Sequence, residues 1–293
     1  MSIKDINGIK LNEPMKKHTT FRAGGPADYF YEPENYEDIK NILKVAKEEH
    51  IPVTIIGNGS NLLVKDGGIR GLVIKLYEKF SEIKADGEYI KALSGAKMPQ
   101  IGSFALKESL SGFEFASGIP GTIGGGLMMN AGAYGGELSD IVVSAEYLEN
   151  GEIKTYTKDE MCLGYRKSIF QGKDGVILSV TLKLRNGNKE EIKAKMDDLK
   201  ERRVSKQPLE FASAGSTFKR PEGYFAGKLI EDAGLKGAKV GDAEVSEKHA
   251  GFVINRKNAS ASEILELIEY VKKKVYENSG VKLEPEVKII GED

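Results

Sequence analysis

A mixed helix-and-strand fold divided into two or three compact units is what this sequence predicts, on three observations. The chain has 293 residues, which exceeds one minimal domain and allows about three quarters of the unfolded surface to be buried without metals or disulfides. Amphipathic helical stretches and short apolar runs succeed one another along it. Glycine is abundant, at 34 residues, about 12% against an average near 7%, and it is gathered into loops.

Residues 29–31 read as a short aromatic strand. In 35–49, Ile39, Ile42, Leu43 and Ala46 share one face with charges opposite, the spacing of an amphipathic helix. Residues 53–56 form a buried strand running into a glycine turn, and 72–76 a second strand after turn signals at Gly67, Gly68 and Gly71. Alternation across 80–93 around Asp86-Gly87 predicts a hairpin, because Asp-Gly tolerates the positive φ of a tight turn. A helix opens at Pro99, a residue accepted in a first turn, and closes near Gly112. Eight of the twenty residues 117–136 are glycine, so no regular element is expected to fill that stretch. Strands at 141–148 and 175–184 and a charged helix at 190–204 follow.

A composition break at 186–189 sets off the remainder. Residues 225–233 predict a short helix with Leu229 and Ile230 facing inward and Gly234 capping its end. Ser260 and Glu263 make a capping-box pair, Ile264, Leu267, Ile268, Val271 and Val275 give one apolar stripe, and Gly280 supplies the stop of the last helix. A terminal strand over 281–290 is interrupted by Pro285. There is no internal repeat and no low-complexity tract.

Composition removes several function classes. Lys and Arg number 43 against 44 Asp and Glu, a net charge of −1, so no bulk charge draws the chain to nucleic acid or to an anionic membrane. The one cysteine, Cys162, has no internal disulfide partner and is expected to be buried and inert. With His18, His50 and His249 far apart, no metal site is expected. His249, ahead of the apolar run 251–254, reads as structural rather than as a base. No stretch approaches the ~18 apolar residues of a spanning helix and no signal peptide is visible, which predicts a cytoplasmic protein.

Two glycine loops are the candidate ligand sites. Gly57-Asn58-Gly59-Ser60-Asn61 directly follows a strand, where backbone N–H groups free of Cβ crowding can converge on an anion. It lacks the third glycine of the dinucleotide pattern, no G-x-x-x-x-G-K-[ST] occurs, and a plain turn fits it equally well. The second runs through Ser117, Gly118, Ile119, Pro120 and Gly121 to Gly124, Gly125 and Asn130. Its glycines would let a flat or polyanionic ligand lie against the backbone; a tightly packed crossing of chain segments is the alternative. Beside these glycines, Tyr134 would stack on a ligand or fill the core.

The ordered motifs HTTFRAGGPAD (18–28), GNGSNLLV (57–64), SGIPGTIGG (117–125), NAGAYGGE (130–137), YRKSIF (165–170), AGSTFKRP (214–221), AGKLIEDAGLKG (226–237) and LEPEVKIIG (283–291) span nearly the whole chain. Together they resemble the UDP-N-acetylenolpyruvoylglucosamine reductases, specifically the shorter class without the extra tyrosine-bearing loop. The resemblance implies an α+β protein with a two-part FAD-binding module of the vanillyl-alcohol-oxidase/PCMH type, at 1–76 and 77–188, and a C-terminal α+β substrate-binding domain at 189–293. It implies non-covalent FAD, NADPH as co-substrate, and reduction of a UDP-sugar enolpyruvyl ether to UDP-N-acetylmuramate for peptidoglycan. Hydride would reach the substrate C3 from flavin N5, and a proton would reach C2. The oligomeric state stays open, with a monomer favoured.

Carried over residue by residue, the resemblance makes Arg166, Ser216 and Glu286 catalytic, with Ser216 the proton donor and the other two stabilising the enol-type intermediate. Loop residues Gly57 to Asn61 and Ser117 to Gly121, with Gly124, Gly125 and Asn130, would hold FAD. Tyr165, Lys219, Arg220, Lys228 and Asn255 would meet the substrate, the cations through charge-assisted bonds to its diphosphate. Read without it, Arg166 is an exposed or ion-paired arginine, Ser216 a turn residue and Glu286 an edge-strand residue facing solvent. Two rivals stay open. An oxidase or dehydrogenase of the same flavin fold need not keep the catalytic three together, and a binding protein without activity would be indifferent to Ser216→Ala.

Overall fold

The structure, a computed structural model, describes residues 2–293. Its helices are α1 (Tyr36–Glu48), α2 (Met98–Lys107), α3 (Ile123–Met128), α4 (Lys189–Lys206), α5 (Ala226–Asp232) and α6 (Ala261–Ser279). The chain divides into two compact units. The first holds the segment ending at Ile9 together with Tyr31–Asn58 and Val73–Arg203; the second holds Lys10–Phe30, Gly59–Leu72 and Val204–Asp293.

The first unit is built on a five-stranded antiparallel sheet in the order Glu152–Thr157, Val142–Glu149, Val176–Lys183, Tyr89–Leu93, Ile83–Asp86. Val180 stands opposite Ala145 on one side and Ala92 on the other, so their small and branched side chains share one face. Ile90, Met98, Ile101, Leu127, Tyr147, Phe170 and Leu182 complete that buried face. Asp86-Gly87 turns the expected hairpin, and Pro99 lies in the first turn of α2. On α1, Asn35 caps the start by accepting the Asp38 N–H at 3.0 Å, and Ile39, Ile42 and Ala46 are buried. The charged helix α4 buries only Ile192.

Two expectations change here. The glycine-rich stretch does contain a regular element: α3 runs through Gly124, Gly125 and Gly126. Six glycine-rich residues form a helix because Thr122 caps them and tertiary hydrogen bonds, from Ile123 N–H to Ala96 O (2.8 Å) and from Gly124 N–H to Ser94 O (2.9 Å), replace intrinsic propensity. Cys162 is exposed, not buried; it takes a left-handed φ of +47° where the turn Asp159–Met161 ends, which swings its side chain off the core.

In the second unit, α6 packs on the three-stranded antiparallel sheet Lys239–Val240, Ala243–Val245, Val253–Asn255. Ile264, Leu267, Ile268, Val271 and Val275 are all fully buried; at roughly 2 kcal/mol each this stripe contributes on the order of 10 kcal/mol of burial. Ser260 and Glu263 form the capping box, and Gly280, at φ +70°, ends the helix. The strand Lys288–Ile290 pairs in parallel with Leu62–Val64, and Lys10–Pro14 pairs antiparallel with residues up to Phe30. The expected terminal strand is a ladder strand only at its end, preceded by an isolated antiparallel bridge at Pro285. His249 accepts the Gly251 N–H on Nδ1 at 3.1 Å and packs edge-on to Phe252, a structural placement.

Candidate functional site

The candidate residues form two sets, one in each unit, and the chain passes from the first to the second within the GNGSN loop, between Asn58 and Gly59.

In the first unit the two glycine loops touch. The Asn58 amide donates to the Pro120 carbonyl, and a Cβ on Gly57 would run into the Thr122 hydroxyl. That hydroxyl is the N-cap of α3, accepting the Gly125 N–H at 3.5 Å. A Cβ on Gly124 would lie 2.6 Å from Ser94 Cβ, so only glycine admits this approach of backbone to backbone. Ahead of the loop, the buried carboxylate of Glu114 accepts the Ser111 hydroxyl at 2.8 Å and the Gly112 N–H at 3.0 Å, with Lys195 of α4 at 3.6 Å. Burial pushes its pKa up, but these bonds and the lysine outweigh that and hold it below the usual carboxylate value. The Glu114 carbonyl in turn accepts the Ser117 hydroxyl at 2.7 Å, fixing where the loop begins.

Arg166 is carried on a two-residue turn. Gly164 and Lys167 exchange both backbone hydrogen bonds (3.1 and 3.0 Å), leaving Tyr165 and Arg166 at the tip, with Arg166 at φ +54° and its guanidinium 5.0 Å from the Tyr165 ring centre. Three contacts anchor the turn to α3. Asn130, fully buried, donates to Gly164 O at 3.1 Å while accepting the Ser139 N–H at 2.9 Å. Ser168 and Gln171 both donate to Met128 O (2.9 and 2.8 Å), and Gln171 also donates to Arg166 O at 3.0 Å. The glycine helix and the arginine turn are thus one hydrogen-bonded assembly.

In the second unit the segments that carry Ser216 and Glu286 run antiparallel, joined by a bridge between Phe218 and Pro285. Glu286 N–H donates to Thr217 O at 2.8 Å and Lys219 N–H to Glu284 O at 2.9 Å. Thr217 is wholly buried and its hydroxyl accepts the Val253 N–H at 2.9 Å, which pins the segment and leaves the neighbouring Ser216 exposed. Asn61 joins the pair, donating to Glu286 O at 3.2 Å and accepting the Lys288 N–H at 2.9 Å. Arg220 stacks 4.0 Å over Phe225 and donates to Tyr224 O, and Lys219 pairs with Glu284 at 3.0 Å.

Two candidates are engaged by other partners. Lys228 pairs with Asp232 along the exposed side of α5. Asn255 is buried, donating to Phe21 O at 2.9 Å and accepting the N–H groups of Lys257 and Ala259. Tyr134 is 45% exposed, so it does not fill the core.

Three residues of the first unit escape sequence reasoning. Thr122 and Gln171 build the loop and turn. Arg203, on the charged helix, has its δ-carbon 3.4 Å from where a Cβ of Gly118 would be. A hydrophilic helix conceals this, since the inward cation reads like its solvated neighbours.

Comparison with known proteins now bears on the geometry. A family model described as "FAD binding domain" matches residues 27–157, and one described as "UDP-N-acetylenolpyruvoylglucosamine reductase, C-terminal domain" matches 207–290. The UDP-N-acetylenolpyruvoylglucosamine reductase of Clostridioides difficile (strain 630) is 55% identical over 294 residues, covering 100% of this chain and 97% of the relative. The chain belongs to the UDP-N-acetylenolpyruvoylglucosamine reductase family. The Clostridium kluyveri (strain NBRC 12016) reductase is 53% identical over 99% of the chain and 96% of its own length. The crystal structure of the Thermus caldophilus reductase superposes with a TM-score of 0.83 at 36% identity, covering 96% of this chain and 97% of that one. As a member of this reductase family, the chain is a FAD-dependent oxidoreductase of α+β fold with a FAD-binding domain and the family's C-terminal domain. The residues of the first unit suit that cofactor: two joined glycine loops that exclude side chains, a capped helix start and the Arg203 guanidinium match a flat, anionic dinucleotide.

Proposed function

We propose that this reductase converts UDP-N-acetylenolpyruvoylglucosamine to UDP-N-acetylmuramate at the expense of NADPH, in the cytoplasmic supply of peptidoglycan precursor. The observation that carries the reading is 55% identity to a reductase of that name along the entire chain. Supporting it, the Arg166 turn is braced by three side chains, and the segments that carry Ser216 and Glu286 are joined by the Phe218–Pro285 bridge. We assign 1–76 and 77–188 to the cofactor and 189–293 to the substrate as divisions of the sequence; the compact units cut across them, with 10–30 and 59–72 in the C-terminal unit and 189–203 in the first.

FAD, when bound, would supply two-electron hydride chemistry between NADPH and the substrate. The loops Gly57 to Asn61 and Ser117 to Gly125 would hold it through backbone N–H groups, while Asn130, buried with its amide engaged by Gly164 and Ser139, would act by supporting the Arg166 turn rather than by touching the cofactor. Hydride addition at C3 leaves negative charge spread from C2 into the substrate carboxylate, and the guanidinium of Arg166 stabilises it. Ser216 gives its hydroxyl proton to C2. A serine is a weak acid in water, so this role needs close positioning against a strongly basic carbon, which the buried Thr217 anchor provides. Glu286 holds the intermediate by a shared proton or hydrogen bond, since a bare carboxylate there would oppose the charge. Tyr165, Lys219 and Arg220 meet the nucleotide sugar, the cations at its diphosphate, with Lys228 as an outer member; Asn255, buried with its amide spent on Phe21, Lys257 and Ala259, leaves the substrate set and serves the core instead.

The test separates the two half-reactions. NADPH should bleach the bound flavin of Ser216→Ala at the normal rate, while reoxidation by the enolpyruvyl substrate should slow about 10²–10⁴-fold. Normal speed in both would remove Ser216 from the proton transfer; a wild-type protein whose reduced flavin ignores the enolpyruvyl substrate would overturn the whole reading.

A further inference from the structure

Arg166 occupies a turn position to which arginine is poorly suited. Gly164 and Lys167 exchange both backbone hydrogen bonds, and Arg166 sits between them at φ +54°, where glycine or asparagine is the ordinary choice. Relaxing to negative φ would turn its Cα–Cβ bond, and with it the guanidinium, in another direction. A side chain five residues on opposes that relaxation. The Gln171 amide donates to Arg166 O at 3.0 Å and to Met128 O at 2.8 Å, so one planar group holds two carbonyls, that of the arginine and the last of α3. A terminal carbonyl has no donor within its own helix, which leaves Met128 O open to the glutamine. Gln171 is held in its turn. Its N–H donates to Ser168 O at 3.3 Å, and the preceding Phe170 is buried with the ring centres of Tyr147 and Tyr156 at 4.9 and 5.3 Å. A core-anchored segment, the end of the glycine helix and the strained arginine therefore meet at one amide, all inside the first unit.

We propose that Gln171 is a positioning residue for the reaction: through the Arg166 carbonyl it selects the left-handed backbone that sets the direction of the guanidinium. The inference rests on the role given to Arg166 above. The position requires a donor, because both partners are carbonyls, and a side chain of the right size without an N–H cannot serve. A bond that merely stabilised the fold would affect both half-reactions alike or neither, whereas a bond acting through Arg166 affects the step that uses the arginine.

The test follows bleaching of the bound flavin by NADPH and its reoxidation by the enolpyruvyl substrate separately, in single turnovers. Gln171→Met keeps the length of the side chain and loses the donor; reoxidation should slow about tenfold, the order of effect of one positioned hydrogen bond, with bleaching unchanged. Gln171→Glu is the closer isostere and serves where the methionine variant does not fold. Slow at neutral pH, it should recover relative to wild type as the pH falls and its carboxyl regains a proton to donate. In an Arg166→Ala background Gln171→Met should change reoxidation by no more than about twofold, because no guanidinium remains to misplace. A full-sized loss in that background, equal slowing of both half-reactions, or wild-type rates in both glutamine variants would overturn the assignment. Failure of the underlying reading shows differently, as normal reoxidation in Arg166→Ala alone.

Discussion

Arg166 takes a left-handed backbone conformation, φ +54°, that a long side chain rarely adopts, and it does so at the tip of a turn whose base is held by Asn130, itself at φ +42° and fully buried. The strain of two such residues is of order 1–3 kcal/mol each and persists only where surrounding bonds over-determine it. Asn130 provides two of those bonds, to Gly164 O and from Ser139 N–H. Asn130→Ala therefore leaves a buried acceptor and a buried donor unpaired, and should lower stability by about 1–3 kcal/mol in urea unfolding. It should also lower kcat for the enolpyruvyl half-reaction more than for flavin reduction, because the loosened turn carries Arg166, whose proposed role is at the enol-type intermediate. Equal effects on both half-reactions would show that the turn does not position Arg166. In the sequence, Arg166 and Ser216 are visible only through their motifs. Nothing local marks Arg166 as a turn tip, since its positive φ comes from bonds made by residues 128, 130 and 171.

Among the elements, α6 shows which features a sequence exposes. Its capping box, apolar stripe and glycine stop are all local, and all appear where the spacing puts them. The carboxylate that completes its first turn is not local: Asp66 accepts the N–H groups of Ala261 and Ser262, both at 2.8 Å, and the Ser262 hydroxyl at 2.6 Å. Burial raises the Asp66 pKa, yet these three donors prevail and the net displacement is downward from 3.8. A carboxyl depressed by folding adds stability that is complete above the unfolded value and fades as pH falls through the folded one. Asp66→Asn should thus cost about 1 kcal/mol at pH 7, the usual worth of such a cap. The difference from wild type should shrink at pH 3 and below; a constant difference in urea midpoints across that range would exclude the charge as its cause. Strands 239–240, 243–245 and 253–255 are missed for the converse reason. Each has two or three residues, too few for a period of two to register, and they form because α6 covers them.

At the scale of the molecule, the second unit is assembled from segments far apart along the chain. Asn61 and Glu286, 225 positions apart, share a hydrogen bond, and Lys288–Ile290 pairs with Leu62–Val64. Phe21 and Leu63, both without solvent exposure, lie in one buried cluster with Ile230, Val253, Ile264 and Leu267. Pairings of that span leave no trace in local periodicity, so the composition break near 188 marks a change of texture along the chain without revealing what completes this core. The C-terminal stretch is therefore not self-sufficient. A fragment of 204–293 would expose the face that Phe21 and Leu63 cover, at about 2–3 kcal/mol for each side chain, and strand 288–290 would lose its only partner strand among the described residues. Domain stabilities of about 5–15 kcal/mol leave little room for such losses. The fragment alone should show collapsed amide dispersion in a two-dimensional nitrogen–proton spectrum. Adding a peptide of 10–30 together with one of 59–72 should restore dispersion in part, because those two segments complete this unit. A well-dispersed spectrum from 204–293 on its own would show that its aliphatic face closes without the N-terminal contributions.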